Sequence, residues 1–386
     1  GGPLQDEVRR ASARFGGRAR LLGPLGDVRD VLAAADLLVL TSHTEGIPGA
    51  VIEAGLSGLP AVATAVGGVP NVVEDGRSGR LVAPAAQPEL AAAVLDVLEH
   101  RDEYGAAAAV VCRDRYSMAS VGRAWEQVID ELTAPAAPTP PRVGTVLQVV
   151  ATTRRRGAEV FAHMLGEHLE EHGWAQRTVA VARPDGAPGL PFQTLGNGRF
   201  RPMTLLRLAR LARESDVLVA HGSDSLLPVA IVACLCRRPY AYRNIGDPEH
   251  WGAVRLASLR IGTGLRRSDR VVALSRRAAD WLGTAYGLRS DQLVVIPNAI
   301  RVEELRVPTP AERTAARARW GLNDDDEVLG YLGSLSPEKR PEWAISAVAD
   351  RPGAVLIIGG EGPLRGALEQ QAVVRAHGRV RFLGVL

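Results

Sequence analysis

The chain predicts an α/β protein built on parallel sheets with helices on both faces. Three observations carry the prediction. Short apolar runs alternate with helical patterns along almost the whole length. Apolar residues make up 46% of the 386, enough for two or three ordinary domains with real cores. A single proline-rich stretch separates two structured blocks. The composition excludes disordered and collagen-like chains. The longest apolar runs, such as residues 226–236, reach about half of the roughly 20 residues needed to span a bilayer, and Pro228 interrupts this one.

In chain order, strands are expected at residues 19–22, 37–41, 61–63 and 80–82, then helices from Pro88 to about Thr133. Residues 134–142 (APAAPTPPR) lack an apolar period and read as an extended spacer of roughly 25 to 30 Å. Beyond it, strands are expected at 146–150, 178–182, 217–220, 270–274, 293–296, 328–333 and 354–359, with helical patterns between them.

The two ends of the chain match. Gly2-Pro3-Leu4, a helical pattern and the run from Gly17 to Gly23 recur as Gly362-Pro363-Leu364, a helical pattern and the run from Gly378 to Gly384. An offset of 360 to 361 residues is far beyond any solenoid period and close to the size of a two-domain enzyme. The expectation is a window cut from a longer tandem protein or a truncated reading frame, with circular permutation as the alternative.

Lys and Arg total 46 against 43 Asp and Glu, but all except one of the basic residues are arginine. The exception is Lys339, which points to a specific chemical requirement there. Residues 1–133 carry 12 arginines and 18 acids; residues 134–327 carry 27 and 20. Scattered arginines with few aromatics read as a solvated basic face rather than a nucleic-acid surface, and are compatible with weak attraction to an anionic membrane. Cys112, Cys234 and Cys236 cannot build a disulfide framework, which fits a cytoplasmic protein.

The sharpest constellation follows the strand at 37–41. Ser42-His43-Thr44-Glu45-Gly46-Ile47-Pro48-Gly49-Ala50-Val51-Ile52-Glu53 sets two carboxylates around a glycine turn that opens a helix. Gly46 and Gly49 let backbone approach a ligand, and amides at a helix start suit phosphate or sugar hydroxyls. Glu45 and Glu53 would face one crevice at the carboxyl ends of the strands. A surface or capping role for Glu53 fits the same spacing.

These residues resemble the retaining glycosyltransferases of family 4, whose fold is the GT-B type: two Rossmann-like, doubly wound parallel-sheet domains facing a cleft. Glu45 and Glu53 match the family's paired-glutamate motif, and Gly58-Leu59-Pro60-Ala61-Val62-Ala63-Thr64, Gly67-Gly68-Val69-Pro70 and Asp75-Gly76-Arg77-Ser78-Gly79 match the segments after it. The resemblance implies that 1–133 is the later part of a nucleotide-sugar-binding C-terminal domain, 134–142 a linker, 143–327 an N-terminal acceptor-side domain and 328–386 the start of a C-terminal donor-binding domain. It also implies that Glu45 contacts the donor sugar, with Gly46, Ile47 and Gly49 beside it, and that Glu53 contacts the ribose.

Gly333-Ser334-Leu335-Ser336-Pro337-Glu338-Lys339 resembles the family's diphosphate-holding loop. Ser334 stands where the family usually has Arg, and Arg340 where it usually has Gly, so the resemblance assigns the diphosphate to Lys339 with Arg340 as a substitute cation. Gly157, opening a helix after Arg154-Arg155-Arg156, resembles the N-terminal glycine loop. His221 matches the second histidine of a strand-end pair whose first is replaced by Val219, and Asn244 falls where a donor-contacting histidine is common. Ser275 and Ile296-Pro297-Asn298-Ala299 also match family segments.

The implied activity is transfer of a sugar from a nucleotide-diphosphate donor, with Glu45, Lys339 and His221 at the chemistry, no resident cofactor, no metal and no nucleic acid. The acceptor is a glycan, lipid or small molecule, and the location cytoplasmic, with room for peripheral contact at the inner membrane face. A non-catalytic nucleotide-sugar binding module and a same-fold epimerase or phosphorylase are the alternatives. Residues 26–133 supply both glutamates and 328–386 supply Lys339, so the two parts are expected to combine into one sheet, displacing one copy of the repeated end. Other motifs carry less. His168-Leu169-Glu170-Glu171-His172 fits a zinc pattern but shows no third ligand. Ser336-Pro337-Glu338-Lys339 lacks the second lysine of an acylating serine site. Gly360-Glu361-Gly362 is too weak for a dinucleotide fingerprint because the third glycine and the acidic residue are misplaced, and the acidic run 324–327 reads as a solvated turn.

Overall fold

The central strands of this chain are apolar without alternation, as sheets covered on both faces require: Leu37–Leu40 and Val217–His221 are buried at every position. The computed structural model describes residues 28–84, 86–134, 144–154, 157–183, 189–246, 255–303, 305–333, 335–349, 351, 353–360, 364–376 and 380–384. The strand expected at 19–22, the first copy of the repeated end, the spacer beyond Ala134, Arg155, Arg156 and Ser334 lie outside these residues.

In order, the elements are α1 (Arg29–Ala34), β1 (Leu37–Leu40), α2 (Gly49–Leu56), β2 (Ala61–Thr64), α3 (Val69–Val72), β3 (Gly79–Val82), α4 (Gln87–Glu99), α5 (Arg101–Tyr116) and α6 (Met118–Thr133). After the spacer come β4 (Thr145–Val150), α7 (Gly157–Glu171), β5 (Ala175–Ala180), β6 (Gln193–Thr194), α8 (Pro202–Arg213), β7 (Val217–His221), α9 (Ser223–Cys236), β8 (Tyr240–Arg243), α10 (Arg255–Arg267), β9 (Arg270–Ala273), α11 (Arg276–Tyr286) and β10 (Leu293–Val295). The last segment holds α12 (Pro310–Arg319), β11 (Glu327–Leu332), α13 (Pro341–Ala349), β12 (Ala354–Gly359), α14 (Arg365–Ala376) and β13 (Val380–Gly384).

These elements form two units, one from the described parts of residues 1–115 and 302–386, the other residues 116–301. The first unit carries a six-stranded parallel sheet in the order β13-β12-β11-β1-β2-β3. Its seam joins the two ends of the chain: β1 pairs with β11, Leu37 opposite Leu329 and Leu38 opposite Gly330. The expected combination into one sheet is therefore made within the chain. The described part of the second copy of the repeated end contributes β13 at the sheet edge.

Asp36, 3% exposed at the mouth of β1, locks this seam. It accepts from Arg101 Nη1 at 2.9 Å, Arg317 Nη2 at 2.8 Å and Val328 N at 2.7 Å, and also from Arg313. Arg317 is buried too, and donates further to the carbonyls of Ala34, Asn323 and Asp324. Leu37, Val39, Val62, Leu329, Tyr331, Leu356 and Ile358 form the core beneath α4 and α13.

The second unit carries a seven-stranded parallel sheet in the order β10-β9-β8-β7-β4-β5-β6. Alternate strand residues feed two cores: Leu147, Val149, Leu218 and Ala220 on one face, Val146, Val217, Val219 and Val272 on the other. The second face is closed by α6 through Trp125, Val128 and Ile129, so the helix before the spacer packs on the sheet after it. Strand β8 was not expected from the sequence, because Tyr240-Ala241-Tyr242-Arg243 ends on an arginine that no apolar pattern includes. It is nevertheless buried at every position. Strand β5 starts at Ala175 rather than 178: its polar, partly exposed first half pairs with β4 but lies beyond the two-residue edge strand β6, which pairs only with Val179 and Ala180, so it shows no apolar run. Strand β13 was likewise missing from the expected set. Among the described residues no helix is long and apolar enough to cross a membrane.

Candidate functional site

At the carboxyl end of β1 the chain leaves the sheet through Thr41 and Ser42, both buried, and turns into the Glu45 loop. Thr64 Oγ1 at the end of β2 donates to Ser42 O at 2.5 Å, fixing where the loop departs. On the neighbouring strand, β11 ends in a loop that closes with a 3-10 turn, Pro337–Lys339. Backbone contacts bolt the two loops together: His43 N donates to Glu338 O at 2.7 Å, and Thr41 Oγ1 to Lys339 O at 3.1 Å and Arg340 O at 2.6 Å.

The result is an ion pair between residues 294 positions apart. Lys339 Nζ donates to Glu45 Oε1 at 2.6 Å, and Ser42 Oγ donates to the same oxygen at 2.6 Å. The Glu45 side chain is 9% exposed and that of Lys339 24%. The ammonium carries three N–H donors, one of which meets Glu45. With Oε1 doubly engaged, Oε2 is the oxygen left for a ligand.

The loop is backed by a second glycine pair. Gly68 N donates to Gly46 O at 2.8 Å, and Gly67 adopts φ +51° with a Cβ there overlapping the Glu45 carbonyl oxygen. Ile47 is buried and anchors the turn, while Gly46 and Gly49 are half-buried. Glu53, on the second turn of α2, is half-buried, and burial pushes its carboxyl up to about 7.

Arg340 adopts φ +47°, a left-handed conformation that costs a side-chain-bearing residue about 1 kcal/mol and that glycine takes freely. Its guanidinium stacks over Trp343 at 4.5 Å and reaches Pro84 O at 3.5 Å. Elsewhere in this unit a cavity is lined by Arg29, Asp30, Ser57, Arg306, Glu312 and Arg319, among others. It shares no residue with the Glu45 loop, and two of its arginines already pair with Asp30 and Glu312.

The remaining expected residues lie in the second unit. His221, at the end of β7, is 1% exposed, with Nε2 at 3.0 Å from Gln148 Oε1 and its ring stacked against Trp125 at 6.3 Å between centroids. Burial, and then the Arg243 charge, hold its pKa well below the usual histidine range, so the ring is neutral. Asn244 is fully buried; Nδ2 donates to Gly246 O at 2.7 Å and Oδ1 has no partner among the described residues. Gly157 opens α7 with open space where a Cβ would stand.

Arg243, beside Asn244, was not anticipated. Its guanidinium is 1% exposed, lies over the Phe161 ring at 3.7 Å and donates through Nη2 to Asn298 Oδ1 at 2.5 Å. Nε and Nη1 have no partner among the described residues, and burial lowers its pKa to about 9. The clue in the sequence was Asn298, which belongs to a matched segment and turns out to be its hydrogen-bond acceptor.

Residues 1–100 match the family model described as Glycosyl transferases group 1, and residues 155–304 match the one described as Glycosyltransferase Family 4. The D-inositol 3-phosphate glycosyltransferase of Geodermatophilus obscurus is 39% identical over 229 residues, covering 50% of this chain and 49% of that protein. That of Mycobacteroides abscessus is 31% identical over 94 residues, 24% of this chain and 20% of that protein. The chain thus spans half or less of the length of these relatives. The crystal structure of Anabaena Alr3699/HepE in complex with UDP-glucose superposes with a TM-score of 0.54 at 21% identity, covering 63% of this chain and 69% of that one. The two parallel-sheet domains are of the GT-B type.

Proposed function

We propose that this chain is a glycosyltransferase that moves a sugar from a nucleoside-diphosphate donor to an acceptor hydroxyl with retention at the anomeric carbon. The observation that carries the reading is the Glu45–Lys339 pair, held at 2.6 Å where two strands of one sheet end. As the donor bond breaks, negative charge grows on the leaving diphosphate, and the Lys339 ammonium stabilises it. Glu45, fixed through Oε1, presents Oε2 to the sugar hydroxyls and orients the donor. The half-buried carboxyl of Glu53 accepts from the ribose. The departing phosphate oxygen takes the proton of the acceptor hydroxyl on the same face of the sugar, so no enzymic nucleophile is needed.

The acceptor reading rests on Arg243. A buried guanidinium with two nitrogens that find no partner among the described residues is stabilised by an anion, and the relatives above are named for an inositol phosphate. A phosphorylated polyol is therefore the proposed acceptor class. The test is nucleotide release from UDP-, GDP- and ADP-sugars, with phosphorylated and unphosphorylated inositol as acceptors and Lys339→Ala alongside. Acceptor-dependent release that the variant abolishes supports the reading. Donor binding without release favours a binding module, and release unaffected by Lys339→Ala overturns the assigned role.

A further inference from the structure

We propose that Glu126, His168 and His172 form a transition-metal site of the zinc class that ties α6 to α7. The sequence pattern offered two histidines and no third ligand; packing supplies it from another helix. His168 and His172 are four apart on α7 and so share one face, and α6 lays Glu126 against them. Glu126 Oε1 stands 2.5 Å from His168 Nε2, and one donor atom from each residue falls within 4.8 Å of the others. Tetrahedral zinc, bonded to nitrogen and oxygen at about 2.0 to 2.1 Å, sets its donors about 3.3 Å apart, between the 2.5 Å and 4.0 Å at which Glu126 Oε1 stands from His168 Nε2 and His172 Nδ1.

The surroundings fit a bound cation. His172 Nδ1 donates to His168 O at 2.8 Å and stands 4.0 Å from Glu126 Oε1, so the outer imidazole is held in orientation beside the inner pair. The two imidazoles lie with ring centroids 4.1 Å apart. Gly122, one turn before Glu126, makes room for this, because a Cβ there would overlap the His168 ring. His168 is 6% exposed whereas the His172 side chain is 46% exposed, so the inner ligand is anchored and the outer one gives an ion and a coordinated water access. Two imidazoles and a carboxylate suit zinc rather than magnesium or calcium. The bound ion would clamp the helix before the spacer onto the first helix after it.

The test uses the full chain, stripped of metal and freed of any histidine tag, titrated with Co2+ and then Zn2+. The expected result is a visible d–d band that saturates at one equivalent of Co2+, is displaced by Zn2+, and accompanies a rise in Tm. Glu126→Gln and His172→Ala each weaken binding by more than about tenfold, extending the loss seen when even outer-shell partners are removed. His172 is exposed enough for its variant to fold, which far-ultraviolet circular dichroism checks. The Cys234→Ser/Cys236→Ser double variant binds as the parent does. Absence of the band, or a band that survives both ligand variants, overturns the proposal.

Discussion

Replacing Glu53 with glutamine changes how stability depends on pH. Burial moves this carboxyl from 4.5 to about 7. Below pH 4.5 the group is protonated in both folded and unfolded chain and contributes no difference. Between 4.5 and 7 the unfolded chain ionises first, so the folded state loses stability as pH rises, and above 7 the loss is complete. At about 1.4 kcal/mol per pH unit, the full loss is at most roughly 3 kcal/mol. Glu53→Gln removes it. For a unit of this size, roughly 2 to 4 °C accompanies each kcal/mol, so the variant should melt about 6 to 12 °C above the parent at pH 8 and level with it at pH 4. Differential scanning calorimetry across that range measures the gap. A gap that stays constant with pH refutes the argument, because it would mean that burial does not hold the proton. Should Glu53 grip the ribose as a carboxylate, nucleoside-diphosphate affinity rises between pH 6 and 8 in the parent and stays flat in the variant.

Lys339→Ala should lower sugar transfer by about 100- to 1000-fold, the scale of losing one charge-stabilising donor, and should also lower stability, because it leaves the Glu45 carboxylate, 9% exposed, without its cation. Steady-state nucleotide release and calorimetry separate the two effects. Asp36→Ala should destabilise the first unit by about 3 to 5 kcal/mol, because it strands the buried Arg317, and urea unfolding at neutral pH reads this out. Gly67→Ala should abolish nucleotide-induced thermal stabilisation by pushing the Glu45 loop aside, whereas Gly76→Ala, equally left-handed at φ +71° but facing open space, should leave it intact. Met203 and Leu206 stand exposed on α8 beside Arg207 and Arg210, a composition suited to an anionic lipid surface. Co-sedimentation with phosphatidylserine vesicles should fall on Met203→Asp/Leu206→Asp substitution; unchanged sedimentation would exclude α8 as the contact.

Much of the architecture was legible in the residues. Apolar runs of four to six residues between helical patterns located β1, β2, β4, β7, β9 and β11, because burial on both faces leaves a local signature that neighbouring residues alone can display. The solitary lysine pointed to a cation requirement before any partner was known. Strand β8 escaped because its burial is offset by a cation–π contact with Phe161 and a hydrogen bond to Asn298, neither of which a linear pattern displays.

By itself, then, the sequence determined the class of fold and the places where loops leave the strand ends. Only the tertiary structure decided that β1 and β11 are neighbours, that Lys339 meets Glu45, that Asp36 gathers three arginines, and that Glu126 reaches the histidine pair. The physical reason is range. Strand and helix periods are set over a few residues, whereas strand order and charge pairing are set by burying surfaces and satisfying polar groups contributed from opposite ends of the chain.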